Sequence, residues 1–537
     1  MERQTISRER IVNRELNPLL QSLPAKFDQI YDYQIDPISD IVAAFDDGYK
    51  MVALEAPTGS GKTLIAEVVR RMIKTRAAYV CHNKELQEQF GREFPYSKVL
   101  YGRANYVPIK PGILEVTCDD CTYSEDTSCA YCPAHESCPY QVAKETAVHS
   151  PVPVLNSAYW LNETQGIKSR FRNTGLAVLD EADTLEQVLM NQVEVYISQR
   201  SQDKYRISPP SKLTVQTSYK SWVTHTLDKI AKPLEKLLFA EDLNKLREFK
   251  RLSNLNSNLS VMAEDLEREL PWVYTGGAGS KRRTGETISF RPVQVDRFGA
   301  GRIWAKDKRF LLMAALLPDV TIQSLGWTGD YARVTMESQF HPKNRQVVVR
   351  PTANLSKRAV NERELTRLGD SVANAIQANP GVRVLIHSVS YRLRDDMYPY
   401  VHGCRRPTFT YREASGRTRA IQGFKRVPDS ILLAPGLERG LDLPDDACRV
   451  QLILKVPYLN LGDKQIAERL YNTPNGKVWY NQHVATTILQ MVGRGVRHSS
   501  DYCVAYILDA AFIKWYKEWG HLLPEWFKRS IRIEYDL

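Results

Sequence analysis

The fold of this chain is decided by one short stretch, Ala56-Pro57-Thr58-Gly59-Ser60-Gly61-Lys62-Thr63. An apolar run, residues 51–54, precedes it, and residues 64–72 follow it with apolar side chains at helical spacing. A strand, a glycine-rich turn and a helix in this order form the context of a phosphate-binding loop. We therefore predict that the loop binds nucleotide phosphates, with Lys62 at the β- and γ-phosphates and Thr63 as a Mg²⁺ ligand.

Two carboxylates follow another apolar strand. Residues 176–179 are apolar, and Asp180-Glu181-Ala182-Asp183 come directly after them. Ligands of α/β proteins bind at the carboxyl ends of the strands, so we expect this tetrapeptide beside the loop. There Asp180 would also hold Mg²⁺, and Glu181 would orient and deprotonate the attacking water. A solvated turn is the alternative reading of the same four residues.

Strand-like and helix-like patterns alternate in two parts of the chain, before residue 186 and after residue 310. They predict an α/β fold of parallel sheets covered by helices on both faces. Residues 186–300 lack this alternation and predict a mainly helical insertion with a positive tip at 281–283, although a solvated charged face is the alternative for its helices. The predicted strands are residues 51–54, 77–81, 152–156, 176–179, 310–313, 346–349, 382–387, 430–434 and 450–454.

Residues 490–497 offer a second group of phosphate-binding side chains. Arg494 and Arg497 are three residues apart, so on a helix they share a face. Their planar guanidinium groups suit the charge that develops on a transferring phosphoryl group. Gln34 precedes the loop and could bind an adenine edge, since its amide both donates and accepts; an ordinary surface glutamine is the alternative.

Five of the nine cysteines, with the spacing C-x2-C-x7-C-x2-C-x5-C, lie within 21 residues: Cys118, Cys121, Cys129, Cys132 and Cys138. In a reducing compartment such a cluster indicates a metal site rather than disulfides. Two CxxC pairs suit tetrahedral zinc, and ligation by cysteine alone equally suits an iron–sulfur cluster. The spacing predicts a metal site and does not choose the metal.

The bulk properties narrow the class of protein. A chain of 537 residues is too long for one core, and its net charge of +11 with a pI near 9.0 suits a polyanionic partner. No run of about 18 apolar residues is present, and no signal-peptide core follows Met1. We expect a cytoplasmic protein, in a bacterium or a phage-infected host, without a membrane partner.

In this order the motifs resemble those of superfamily 2 helicases, and more narrowly of the DinG/XPD family, over nearly the whole chain. The general helicase motifs are matched by residues 56–63, Asp180–Asp183, Pro435–Leu443 and Gln490–Arg497. Motifs more specific to the DinG/XPD family are matched by Gly102–Tyr106, Cys138–Tyr140, Phe340–Arg345 and His387–Tyr391. The compact chain is similar to phage-encoded or minimal bacterial members.

The resemblance implies two RecA-like motor domains with ATP and Mg²⁺ at their interface. A [4Fe-4S] domain and a helical arch would be inserted in the first, and the protein, a monomer, would move 5′→3′ on single-stranded DNA and act on forked or hybrid duplexes. The expected boundaries are 1–105, 146–190 and 301–345 for the first motor domain, 106–145 for the Cys-rich domain, 191–300 for the arch and 346–537 for the second motor domain.

The resemblance also assigns roles to single residues. Gln34 would contact adenine, Gly440 and Asp442 would couple the nucleotide to the motor, and three side chains would sense the γ-phosphate: Gln490, Arg494 and Arg497. The expected cluster ligands are Cys121, Cys129, Cys132 and Cys138, with Cys118 as the alternative to Cys121 and zinc as the alternative metal.

Three departures from the family pattern are visible. Pro108 stands where the first cluster cysteine is expected, and Asp183 replaces a histidine. The motif usually written Ser-Ala-Thr is Ala314-Ala315-Leu316, without either hydroxyl. A second hypothesis is therefore a DNA-stimulated ATPase that strips proteins from DNA or acts on RNA–DNA hybrids. A third is a non-catalytic nucleic-acid-binding module whose nucleotide site is only a switch.

Overall fold

Two parallel sheets organise the chain. The computed structural model describes residues 22–27, 29–108, 117–120, 135–163, 170–171, 173–238, 243–278, 286–304, 308–356, 361–438, 443, 445–498 and 500–535. Each sheet has seven strands flanked by helices, which confirms the predicted fold class. We call the parts built on the two sheets domain 1 and domain 2.

Domain 1 begins with alternating helices and strands up to the predicted Asp-Glu-Ala-Asp motif. Its strands are nearly uniform apolar runs because both faces of a parallel sheet are covered. The elements are α1 (Asp32–Asp46), β1 (Met51–Glu55), α2 (Lys62–Met72), β2 (Ala77–Cys81), α3 (Lys84–Glu93), β3 (Lys98–Leu100), α4 (Pro139–His149), β4 (Pro153–Asn156), α5 (Ser157–Glu163), β5 (Leu176–Asp180) and α6 (Leu185–Val193).

An insertion follows α6. It contains two long helices, as predicted, and also an antiparallel sheet of order β6-β9-β7 with β8 on β9. The sequence analysis missed this sheet because its strands are short and pair residues far apart in sequence, such as Val195 with Phe290. The basic tip at 281–283 lies outside the described residues. The elements are β6 (Val195–Ile197), α7 (Gln199–Tyr205), α8 (Gln216–Leu237), α9 (Leu243–Glu267), β7 (Trp272–Tyr274), β8 (Gly277–Ala278) and β9 (Glu286–Pro292).

The chain then returns to domain 1 and completes its sheet. The added elements are α10 (Asp296–Gly299), β10 (Arg309–Ala314), α11 (Asp319–Ser324) and β11 (Ala332–Thr335). The strand order is β11-β1-β10-β5-β2-β4-β3 with every pair parallel. Strand β10 therefore lies between β1 and β5, and the loops that follow these three strands meet at one edge of the sheet.

Domain 2 repeats the architecture with the strand order β14-β15-β13-β16-β17-β12-β18, all parallel. No helix in the described residues is both long and apolar enough to cross a membrane. The elements are β12 (Arg345–Ala353), α12 (Glu362–Gln377), β13 (Val384–His387), α13 (Tyr391–Gly403), β14 (Thr408–Phe409), α14 (Ala414–Arg426), β15 (Ile431–Ala434), β16 (Val450–Ile453), α15 (Lys464–Asn472), α16 (Gly476–Val492), β17 (Cys503–Asp509), α17 (Ala511–Trp519), α18 (Glu525–Lys528) and β18 (Ile531–Ile533).

Candidate nucleotide site

The loop between β1 and α2 has the geometry of a phosphate cradle. Gly59 and Gly61 have φ values of +84° and +78°, a region that costs other residues energy. The Lys62 ammonium donates to the carbonyl oxygens of Ala56 (3.0 Å) and Pro57 (3.2 Å). The Ser60 hydroxyl is fully buried and has no hydrogen-bond partner within the described residues. A buried polar atom without a partner, beside the amino end of a helix, fits a site that accepts an anion.

The two residues predicted to bind Mg²⁺ meet at a third side chain. The Tyr79 hydroxyl donates to Asp180 Oδ2 (2.8 Å), and the Thr63 side chain hydrogen-bonds the same Tyr79. Burial raises the pKa of Asp180, and the nearby Lys62 ammonium opposes that rise. Oxygen ligands brought together in this way suit a hard cation such as Mg²⁺. Tyr79 was missed from the sequence, where it is one more apolar strand residue of β2.

Glu181 occupies a turn with an unusual backbone. Its φ is +50°, and its N–H donates to Asp180 Oδ1 (3.0 Å). A left-handed conformation in a residue other than glycine is typical of functional sites, where the surrounding structure enforces it. The charges of Asp180, Glu181 and Asp183 all raise the pKa of Lys62, whereas burial, the largest effect, lowers it. The structure therefore brings the predicted water-activating carboxylate into the electrostatic field of the loop.

Two glutamine side chains hold the loop from outside. Gln34 is 2% exposed, and its amide donates to the Ser60 carbonyl (3.0 Å) while its own oxygen accepts from the Tyr31 N–H (3.1 Å). Gln339 donates to the Gly59 carbonyl (2.9 Å). Gln34 thus contacts the loop directly, and its contact with adenine stays a prediction. Gln339 was not anticipated because it lies far from the loop in sequence.

Domain 2 reaches the loop through the end of α16. The Gln490 amide donates to Asp183 Oδ2 (3.1 Å), across the boundary between the domains. At Gly493 an added Cβ would lie 2.9 Å from the Thr58 hydroxyl, so the backbone approaches the loop closely. The charge of Arg497 contributes to lowering the pKa of Lys62. These contacts bring Gln490 to the Asp-Glu-Ala-Asp turn and place the charge of Arg497 in the field of the nucleotide loop.

Arg494 and Arg497 both lie beyond the end of α16 at Val492, so the prediction that they share a helix face was wrong. The chain leaves the helix at Gly493, and Arg494 has a different environment from Arg497. Its guanidinium donates to the backbone carbonyls of Gln490 (3.0 Å) and Glu438, both in domain 2. Its role as a γ-phosphate sensor stays a prediction. Gly440 and Asp442, the other predicted coupling residues of this domain, lie outside the described residues.

A buried carboxylate fixes the backbone of Arg497. Asp501 is 0% exposed; its Oδ2 accepts from the Arg497 N–H (2.9 Å) and its Oδ1 from the Tyr502 N–H (2.9 Å) and from Arg449. Asp445, His498 and Asp501 place their ligand atoms close enough to hold a metal ion. Asp501, however, is already engaged by the Arg449 cation and by backbone donors, and a neighbouring guanidinium opposes a second cation. We interpret this cluster as an ion-pair network that positions Arg497.

The Ala314-Ala315-Leu316 departure has a structural counterpart. The Ala314 carbonyl accepts from the Ala56 N–H (3.0 Å) at the start of the phosphate loop. Leu316 is buried and belongs to an apolar cluster whose other members are domain 2 residues, including Met491 and Val492 at the end of α16. Apolar packing against domain 2 therefore stands where the family places a hydroxyl.

The Cys-rich segment is described only at its ends. Cys121, Cys129 and Cys132 lie outside the described residues, so the predicted cluster ligands are not placed. The Cys118 N–H donates to the Tyr106 carbonyl (2.8 Å), and Tyr106 also contacts the Tyr140 ring with 5.6 Å between ring centroids. Cys138 directly precedes α4 and packs, partly buried, against the same core as the buried Cys118. Both ends of the segment are therefore anchored at one place in domain 1.

Comparisons with known protein families match two separate parts of the chain. A helicase C-terminal domain model matches residues 372–530, and the model described as the res subunit of type III restriction enzymes matches residues 28–150. A curated relative, the regulator of telomere elongation helicase 1 homolog of Caenorhabditis briggsae, is 24% identical over 134 residues. That stretch covers 22% of this chain and 13% of the relative's length.

Solved structures share the fold over nearly the whole chain. An XPD helicase structure aligns with a TM-score of 0.64 at 16% identity, covering 95% of this chain and 100% of that one. Xpd4 of S. tokodaii aligns with a TM-score of 0.56 at 13% identity, covering 94% and 100% of the two chains. The family matches and the shared fold support an XPD/DinG-like superfamily 2 helicase, which confirms the family that the motifs predict.

Proposed function

We propose that this XPD/DinG-like chain is an ATP-dependent DNA helicase that hydrolyses ATP between domains 1 and 2. The observation that carries the proposal is the meeting of both domains at the nucleotide loop, where Gln490 donates to Asp183 and the backbone of Gly493 approaches Thr58. Four charged groups act in this region. Lys62, Asp180 and Glu181 come from domain 1, and Arg497 comes from domain 2. Catalytic groups divided between two domains act only when the domains are together, so hydrolysis and domain movement are linked.

Each residue has a defined task in this reaction. Lys62 and the loop amides would bind the β- and γ-phosphates, and Thr63 and Asp180 would hold Mg²⁺, which would neutralise charge on the phosphate oxygens. Glu181 accepts the proton of the attacking water. Arg497, with its backbone held by Asp501, places a permanent positive charge beside the transferring phosphoryl group. Tyr79 keeps the Asp180 carboxylate in place.

The test of the proposal is ATP turnover with and without single-stranded DNA. Lys62→Ala should reduce DNA-stimulated hydrolysis to background, because the variant lacks the cation that binds the β- and γ-phosphates. Wild-type hydrolysis in this variant would contradict the assignment. Forks with only a 5′ or only a 3′ tail then test the direction of movement, which we propose from the family to be 5′→3′.

A translocase without general unwinding activity is the second candidate. It is favoured by Leu316, since apolar packing in place of a hydroxyl changes how movement of one domain is transmitted to the other. The same forks, together with RNA–DNA hybrids and a DNA-bound protein block, separate the two functions. Strong DNA-stimulated hydrolysis with displacement of the block but no strand separation would favour the translocase.

We also propose that the Cys-rich segment holds a [4Fe-4S] cluster on Cys121, Cys129, Cys132 and Cys138. Anchoring of both ends of the segment at Tyr106 supports a compact metal-binding unit. Burial of Cys118 in the apolar core supports its assignment as the spare cysteine. Anaerobically purified protein should contain iron and acid-labile sulfide, and Cys138→Ser should lower both. Zinc without iron would contradict the cluster.

A further inference from the structure

The outer flank of domain 2 carries a groove that the nucleotide site does not use. The groove lies between edge strand β14 and helix α14 and has a volume of about 640 Å³. Phe409 and Tyr411 line one part of it, and three arginines line the rest: Arg412, Arg419 and Arg426. All three arginines are exposed to solvent.

This flank concentrates the positive charge of the chain. Residues 404–430 contain seven basic and two acidic residues, a net +5 against +11 for all 537 residues. Arg406 is used internally, since it donates to the Ile376 carbonyl (3.0 Å) and pairs with Asp429 (2.7 Å). Within the described part of the chain, neither Arg419 nor Arg426 has an ion-pair partner. Their charge is therefore available to a ligand.

Helix α14 packs closely on β14 and leaves these arginines at the edge of the packed face. A Cβ at Gly423 would lie 2.3 Å from the Phe409 ring, and one at Gly416 would lie 3.2 Å from Tyr411 Cβ, so the helix approaches the strand at its two glycines. Arg419 and Arg426 each follow one of these glycines by three residues, so they lie next to this contact and are exposed. Arg419 and Arg426 are seven residues apart, which places them on one face of the helix with a separation of about 10 Å along its axis. The arrangement is a row of cations rather than a single pocket.

The groove is continuous with a motif of the motor. The Tyr411 hydroxyl donates to the carbonyl of Pro435, the first residue of the segment that matches a helicase motif. Strands β14 and β15 are parallel, so Tyr411 and Pro435 follow their strands at the same edge of the sheet. A nucleic-acid strand that contacts this motif could therefore continue along the outer flank.

We propose that this groove binds the phosphate backbone of a single strand of nucleic acid, extending its track beyond the motor motifs. The inference rests on the proposed function. Guanidinium groups bind phosphates, and the exposed arginines of the groove follow one another along its length as successive phosphates do along a strand. An acidic peptide fits less well, because the two-residue edge strand β14 provides little backbone for strand addition. Glu413 is the one acidic side chain among the described residues that line the groove.

The test compares two charge reversals of equal size in the full-length chain. Arg419→Glu with Arg426→Glu alters the groove, and Lys514→Glu with Lys517→Glu alters exposed residues of α17 in the same domain. Binding of a fluorescent oligo-dT is measured without ATP over a range of salt concentrations. The groove variant should bind on the order of twentyfold more weakly at 0.1 M salt, with a salt slope lower by about 1.4, the value for two lost phosphate contacts.

The outcomes separate this proposal from the proposed function. An equal loss of oligo-dT affinity in both double variants, or no loss in the groove variant, would contradict the proposal that the groove binds nucleic acid. Polyglutamate peptide is the probe for an acidic protein partner. The proposal would also be wrong if the wild type binds this peptide and the groove variant loses peptide binding but keeps DNA binding. Thermal unfolding checks that the variants fold. If the charge-reversal variant of the groove does not fold, the double variant Arg419→Gln with Arg426→Gln replaces it in the binding measurement. Absence of DNA-stimulated hydrolysis in the wild type would instead contradict the motor function and leave the binding comparison valid.

Discussion

Two of the places where domains 1 and 2 meet differ in chemistry. The nucleotide seam comprises Thr58, Asp183, Gln490, Gly493 and Arg497. Its described contacts include the hydrogen bond from Gln490 to Asp183 and the close approach of Gly493 to Thr58, and the charge of Arg497 acts on Lys62. The second contact, the Glu186 seam, lies farther along the same surfaces. There a single buried carboxylate at the start of α6 receives several partners from domain 2.

The Glu186 seam is a charged cluster sealed from water. Arg469 is 2% exposed, pairs with Glu186 and donates to the Ser324 hydroxyl (2.7 Å). The Trp479 indole donates to Glu186 Oε2 (3.0 Å), and its ring lies 4.0 Å from the Arg469 guanidinium. Removing one partner of a buried ion pair leaves the other charge buried without compensation, which destabilises a protein strongly.

The comparison indicates that the two seams have different roles, one in contacting the nucleotide and the other in holding the domains together. We refer to this difference as the division between the seams. The nucleotide seam contains the groups that would contact ATP. The Glu186 seam contains no predicted catalytic group and holds the domains by buried charge. We infer that the domains open and close at the nucleotide seam while the Glu186 seam keeps them in register. Four predictions test this division.

The largest effect is expected at the nucleotide seam. Glu181→Gln should lower the rate of ATP hydrolysis by about 10³-fold, because the amide cannot accept the proton of the attacking water. ATP binding, measured with a fluorescent analogue, should be retained. Glu85→Gln, the same change at an exposed carboxylate of α3, is the matched control, and an equal loss of hydrolysis in both variants would contradict the role of Glu181.

The second effect is on stability and belongs to the Glu186 seam. Arg469→Met should destabilise the protein by about 3 to 5 kcal/mol, because it leaves Glu186 buried without its cation. Urea unfolding monitored by tryptophan fluorescence measures the loss. Adding Glu186→Leu should recover much of it, since no buried charge then remains. Failure of the double variant to recover would show that packing, rather than charge, holds this seam.

The third effect depends on pH and concerns the side of domain 2 near Arg494. Burial lowers the pKa of His387 from 6.5 to about 4, and the Arg494 charge adds to this, although a hydrogen bond with Gln451 opposes it. As the pH falls below 6.5, His387 binds a proton in the unfolded chain but stays neutral in the folded chain. Stability should therefore decrease between pH 6.5 and 4, by up to about 3 kcal/mol from this group.

The pH effect is measured as the difference between the wild type and His387→Gln, which lacks the titrating ring. Urea unfolding at pH 7.5 and pH 4.5 gives the two free energies. Identical pH dependence in both proteins would show that folding does not change the pKa of His387, which would contradict the prediction.

The smallest effect tests the close approach in the nucleotide seam. Gly493→Ala places a methyl group 2.9 Å from the Thr58 hydroxyl, and overpacking of this kind costs about 1 to 3 kcal/mol. The cost should appear as a higher KM for ATP in DNA-stimulated hydrolysis, with little change in the unfolding midpoint. Combining it with Thr58→Ala should relieve part of the effect. A large loss of stability would instead place Gly493 among the residues that hold the domains together.

Much of domain 1 was predictable because its signals are local. The phosphate loop and the Asp-Glu-Ala-Asp turn each follow a buried strand in the sequence, so fold and chemistry are read from adjacent residues. The antiparallel sheet of the insertion was not predictable, because β6 finds its partner β9 only after two long helices. The roles of Tyr79 and Gln339 were not predicted for the same reason, because each side chain hydrogen-bonds a residue that is distant in sequence.

The sequence by itself determined the parallel α/β architecture, the glycines that allow the loop its left-handed turns, and the chemical identity of Lys62, Asp180 and Glu181. Only the tertiary structure decided that Arg497 lies in the field of Lys62, that Leu316 packs into domain 2, and that Glu186 is buried beneath Arg469. Local sequence patterns determine the backbone conformation and the functional groups that the side chains supply. Which side chains meet depends on packing between distant segments, and that is settled when the domains come together.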